Sequence, residues 1–231
     1  MKKTLILRMC ALATTLFLIN CAQKDADKLA SAQACVDKST AATAGACLEK
    51  ISGLSSQQSY AIRCSVMFIQ EGFDDPTRYI SAFEQLNQNG SGNSSLGLMG
   101  VMAFKSASTA AQNQANADTA LSYCQQAGSK GYIMLAAAAQ LGTTIAKYGN
   151  LATYSQADLL AVITNPSVTD TADFQTAVGA TAVIAYQSNC TGTNTSNQQL
   201  CSTFQSAVTS AGGTSNTQAI GAGLISALQQ H

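Results

Sequence analysis

The sequence predicts an all-α chain, either a multi-helix bundle or a short superhelix of helical hairpins stapled by disulfides. Apolar residues recur at spacings of three and four, as in Tyr79, Ile80, Phe83 and Leu86, and again in Leu200, Phe204, Ala207, Val208 and Ala211. Each set lines one face of a helix. No stretch sustains the alternation that a half-buried strand needs. From Ala22 onward Ala dominates with Gln, Ser and Leu around it, and only Pro76 and Pro166 interrupt, a composition that suits helices of about ten to twenty residues, roughly ten of them in all.

The first segment has a separate logic. Met1, Lys2 and Lys3 precede an apolar stretch from Thr4 to Ile19, broken only by Arg8, and Asn20 and Cys21 follow. A positive start and a short apolar run describe an export signal, and the run is too short to span a bilayer. Leu18, Ile19, Asn20 and Cys21 occupy the four positions of a lipobox, so this part resembles bacterial lipoprotein precursors. The resemblance implies a cut just before Cys21, a diacylglyceryl group on its sulfur and a palmitate-type acyl chain on its new amino group. Asn20 stands where that family usually has Gly, Ala or Ser. Ala22, in place of Asp, implies the outer membrane by the sorting rule of the family. Several acyl chains, at about 0.8 kcal/mol per buried methylene, make the membrane itself a constitutive partner. The expected organisation is a cleaved signal over 1–20, a lipidated N-terminus and tether over 21–30, and one α-helical domain over 31–231.

With Cys10 in the signal and Cys21 assigned to lipid, Cys35, Cys47, Cys64, Cys124, Cys190 and Cys201 remain, an even number in an oxidising compartment. Six cysteines allow fifteen pairings. Cys35 and Cys47 flank a short connection between helical segments, as do Cys190 and Cys201, so each pair can staple a hairpin. That leaves Cys64 with Cys124. Tyr60, Cys64, Met67 and Phe68 share one helical face, and Ala117, Ala120, Leu121, Cys124 and Ala127 share another, which turns both sulfurs inward. Two buried free thiols are the alternative.

Connections are expected at 39–44, 53–55, 72–75, 87–93, 128–131, 149–154, 165–170 and 191–196, where Gly, Asn, Ser and Asp gather. Asp75 before Pro76 is a helix start, because the carboxylate caps free amides while Pro takes the first helical position. The apolar run 132–139 is far too short for a membrane span and reads as a buried helix. Segments beginning near Pro76, Ala117 and Gln156 are spaced by about forty residues. Ala120, Tyr123, Ala127, Gly131, Leu141, Gly142, Tyr148 and Gly149 resemble tetratricopeptide and Sel1-type units over about thirty residues, which implies stacked helical hairpins.

Charge excludes several functions. Only 10% of the residues are charged, the mean hydropathy is +0.09, and no Lys or Arg follows Lys147. The chain is neither a disordered charged tail nor a binder of phosphate backbones, so nucleic acid is not a partner. The second half is polar but nearly uncharged, a surface compatible with a protein or a saccharide.

No residue pattern specifies chemistry. The single His, His231, stands last in the sequence, so no internal base serves a nucleophile. No cysteines stand at zinc-knuckle spacing, and no metal or cofactor is expected. The pairs Asp74 and Asp75, and Asp170 and Asp173, sit where helix caps need them, while Glu71, Glu84 and Asp158 are the acids left to consider. The turn 89–93 lacks the Lys of a phosphate loop. Met67, Phe68, Met99, Met102, Phe104 and Met134 are either core or the lining of an apolar cavity. The sequence therefore suggests a non-enzymatic binding or scaffolding module for a protein partner in the bacterial envelope, with a helical carrier of a small apolar ligand, part of an uptake system, as the alternative.

Overall fold

A helix over 24–36, α1, opens the computed structural model, which describes residues 24–77, 80, 94–191 and 198–229. Residues 24–30, expected within the tether, are thus the first turns of a helix. A 3-10 helix, Ala44–Ile51, follows a turn, then α2, Gln57–Phe68, which runs into a π-helical turn, Ile69–Phe73. Beyond it lie α3 (Ser94–Met102), α4 (Ala110–Ala127), α5 (Lys130–Tyr148), α6 (Gln156–Ile163), α7 (Pro166–Thr169), α8 (Ala172–Asn189), α9 (Gln198–Ser210) and α10 (Thr217–Gln229). No strand occurs among the described residues.

Helix ends follow their side chains. Ser56, Thr109 and Ser155 accept hydrogen bonds from the amides of Ser59, Gln112 and Asp158, satisfying donors that a helix start leaves orphaned. Pro166 begins α7 behind an Asn165 cap. Gly128 closes α4 at φ 71°, in the left-handed region where a side chain would be strained.

Helix α5 is the centre of the bundle and touches α3, α4, α6 and α8. Its run Ala136, Ala137, Ala138 and Ala139 is buried, as are Leu141, Gly142, Thr143, Thr144 and Ile145. Small residues all round let four neighbours approach. Gly142 is one such point, where a Cβ would stand 2.2 Å from the carbonyl oxygen of Met99 in α3. The closest helix pair, α8 with α10, packs backbone to backbone through Gly179 and Gly221.

A second, smaller core is formed by Ala32, Val36, Ala44, Cys47, Ile51, Ile62 and Val66, so α1 and the 3-10 helix lean on one face of α2. Arg63 fastens this corner. Its Nη2 donates to the carbonyls of Ile51 (3.0 Å) and Leu54 (2.9 Å), and its guanidinium lies 5.5 and 5.8 Å from the ring centres of Tyr60 and Tyr123.

Three disulfides join these parts. Cys35 bonds Cys47, Cys190 bonds Cys201, and Cys64 in α2 bonds Cys124 in α4, with Cα separations of 5.6, 5.2 and 5.0 Å. These are the pairs that the helical faces and short connections favoured.

The segment 103–109 is a connection that the sequence pattern does not mark. Ala103, whose amide still donates to the Met99 carbonyl (2.8 Å), and Phe104 are fully buried there, and from Lys105 the chain returns to the surface outside any helix. Side chains of other elements partner its backbone. The amide of Phe104 donates to Thr143 Oγ1 (2.8 Å), the carbonyl of Phe104 accepts from the Tyr154 hydroxyl (2.8 Å), and the amide of Ala107 donates to Asn113 Oδ1 (2.8 Å). A further turn at 211–216, between α9 and α10, lies outside the expected connections.

Candidate functional site

Glu71 is the buried carboxylate among the described residues, 5% exposed on the π-helical turn. Gly72 beside it has φ 83°, a conformation that Gly alone adopts without strain. That turn aims the Glu71 side chain at the 103–109 segment. Oε2 accepts from the amides of Lys105 and Ser106 (3.0 Å each), and Oε1 accepts from Ser106 Oγ (2.6 Å). A carboxylate holding three donors is a structural clamp, with three of its about four lone-pair sites engaged. Glu71→Ala is expected to destabilise the fold by about 1–3 kcal/mol, because it removes three charge-assisted hydrogen bonds whose donors, on the exposed residues Lys105 and Ser106, regain water in part. Chemical denaturation measures it; a loss under about 1 kcal/mol would contradict the clamp.

Two of the other acids, Asp158 and Asp75, are tied to caps. Asp158 Oδ2 accepts from the amide (2.7 Å) and hydroxyl (2.8 Å) of Ser155, while Ser155 Oγ accepts from the Asp158 amide (3.3 Å), closing a capping box at the start of α6. The backbone hydrogen bond first, then that from the hydroxyl, holds the Asp158 carboxyl below the usual carboxylate range. Its folded pKa is thus the depressed one, so its support for α6 is present above the unfolded pKa and fades as pH falls through the folded one. Ser155→Ala is expected to move the NMR midpoint of Asp158 upward; an unchanged midpoint would count against the box. Asp75 Oδ1 accepts from the Thr77 amide (2.9 Å), which lowers its pKa in the same way and supports a helix that starts at Pro76. Asp170 follows α7 as its C-cap, and Asp173 lies in the first turn of α8. Cys21, Glu84 and the turn 89–93 lie outside the described residues.

The Met and aromatic positions fall in or against the main core. Met99, Met102 and Phe104 are almost fully buried, Met67 and Met134 pack beside them, and Phe68 meets Phe73 and Phe104 edge to face at 5.4 and 5.5 Å. Among the described residues no group of three or more His, Cys, Asp or Glu could hold a metal ion, and no helix is long and apolar enough to cross a membrane.

A groove of about 240 Å³ opens between α4, α5 and α8. Small side chains on α8, Ala177 and Ala180, leave the space, and polar side chains line it. Thr181 Oγ1 donates to Gln140 Oε1 (2.7 Å), Gln140 Nε2 donates to Asp118 Oδ1 (2.6 Å), and Gln114 Nε2 donates to that same oxygen (2.6 Å). Tyr148 stands at one end, its ring 5.0 Å from that of Phe174, with Lys147 Nζ 5.5 Å above it. Burial first and the charge of Asp173 second push the Tyr148 phenol up, so it stays protonated. The sequence did not flag this set because its residues come from three helices and form no local motif. The trace it leaves is polar residues at helical spacing on α5, Gln140, Thr144 and Lys147, after the apolar run 132–139.

No protein-family model, curated protein or solved structure matches this chain.

Proposed function

We propose that the protein is a lipid-anchored component of the bacterial cell envelope, held at the outer membrane through acyl chains on Cys21, and that it serves as a non-enzymatic binding or scaffolding module for a protein partner. The observation that carries this reading is the engagement of Glu71, whose two oxygens are committed to holding the 105–106 turn. Asp158 and Asp75 are tied into caps in the same way, so these acids serve the scaffold. Three disulfides that fix the relative positions of helices favour a preformed binding surface, because ordering on binding then costs less. The carrier reading loses support where Met99, Met102 and Phe104 fill the core.

The test begins with Cys21→Ser, which is expected to leave an unprocessed or soluble form and to abolish incorporation of labelled palmitate. An intact mass showing an unmodified Cys21 in the wild-type membrane fraction would refute the anchor. A pull-down from envelope membranes with the acylated chain then tests the partner, and recovery of the bait alone would count against scaffolding.

A further inference from the structure

We propose that the groove between α4, α5 and α8 binds a neutral saccharide, one pyranose ring at a time. One of its buried polar atoms is unsatisfied. Gln114, 8% exposed, has an Oε1 with no hydrogen-bond partner. Thr144 lines the same groove and brings a hydroxyl that can donate or accept. A buried polar atom left without a partner costs about 1–3 kcal/mol, so native structures seldom keep one unless a water or ligand completes it. An unpartnered Gln114 Oε1 in the lining of an open groove points to an external molecule.

The lining selects its chemistry. Gln114 Oε1 calls for a donor, as does Asp118, whose Oδ1 is already shared by two amides. Lys147 calls for an acceptor, and Thr144 takes either. A sugar hydroxyl both donates and accepts, so adjacent hydroxyls on one ring meet all four demands. The lining carries the single negative charge of Asp118 and the single positive charge of Lys147, a balance that favours a neutral ligand over an ion. Ala177, Ala180, Ile184 and the Tyr148 ring offer an apolar wall for the C–H face of a pyranose. The volume of about 240 Å³ lies below the range of drug-sized sites, which starts near 300 Å³, and suits a single ring. This inference goes beyond the protein partner proposed above and does not depend on the anchor.

The test is an NMR titration of the full-length chain, labelled in its Ala and Ile methyls, with glucose, galactose, mannose and N-acetylglucosamine, then with a trisaccharide of the sugar that binds, and separately with the zwitterionic dipeptide Ala-Ala. At least one hexose is expected to shift the methyls of Ala177, Ala180 and Ile184 with a Kd of about 1 mM, and to leave Ile51 and Ile62 in the small core unmoved. Thr144→Val, which keeps the side-chain shape, is expected to weaken that binding about 3- to 10-fold at an unchanged unfolding midpoint. A trisaccharide that binds at least as well assigns the groove to the end of a glycan chain, and one that is excluded assigns it to free sugar; either supports the site. No methyl shift with any of the four sugars, shifts produced by the dipeptide alone, or undiminished affinity in Thr144→Val would overturn it.

Discussion

Gly221→Ala is expected to lower the stability of the fold by about 3 kcal/mol or more, although Gly to Ala inside a free helix gains about 1 kcal/mol. The reason is the approach of α8 to α10. A Cβ at Gly221 would stand 1.8 Å from the carbonyl oxygen of Gln175 and 2.6 Å from its carbon, and a Cβ at Gly179 would stand 1.8 Å from the carbonyl oxygen of Thr217. Backbone atoms cannot swing aside as a side chain would. The helices must separate, and the contacts of Phe174, Val178, Leu224 and Ile225 loosen with them. Gly223 provides an internal control two residues along the same helix, because its Cβ would meet only Ala207, at an ordinary 3.6 Å. Gly223→Ala should therefore be neutral or stabilising by up to about 1 kcal/mol. Denaturant midpoints that move in the same direction for both variants would show that the tight crossing is not what Gly221 provides.

The helices themselves were legible in the sequence, and so were their staples. Spacings of three and four placed Cys64 and Cys124 on inward faces, and the short connections after Cys35 and Cys190 placed their partners within reach. Those signals are local, carried within one helix or one turn. The connection at 103–109 was hidden for the opposite reason, since Thr143, Tyr154 and Glu71 reach it from 34 to 50 residues away. Nothing in Ala103, Phe104 or Lys105 forbids a helix; what breaks it is a set of competing hydrogen bonds from elsewhere. Glu71 reads as a candidate acid because a lone Glu in a helical stretch has no visible partner, and its three donors come from a loop that the pattern does not mark. The groove is nonlocal in the same sense. Gln114, Gln140 and Thr181 are ordinary polar residues one by one, and only packing of α4, α5 and α8 makes them a row.

Removing the Cys64–Cys124 bridge by Cys64→Ala with Cys124→Ala is expected to cost about 4 kcal/mol, against about 3 kcal/mol for the Cys35–Cys47 pair, on the chain-entropy model. The difference follows from the closed loops, with sequence separations of 60 and 12. Both sulfurs are fully buried, so the alanines also leave small voids in the core. The loss has a direction within the molecule. The small core of α1 and the 3-10 helix reaches the rest of the fold mainly through α2, and α2 is bound to α4 by this bridge, with Tyr60 and Tyr123 meeting at 6.2 Å nearby. Without the covalent link, the 24–66 segment opens at a lower free energy than the α5, α8 and α10 bundle, and hydrogen exchange should accelerate there first. If Cys21 carries the anchor, this is the segment that transmits any pull from the membrane to the main core, and the bridge is the point where that load enters α4. A stability loss below about 1 kcal/mol, or exchange that accelerates evenly along the chain, would show that apolar packing of α2 against α4 holds the two cores together unaided.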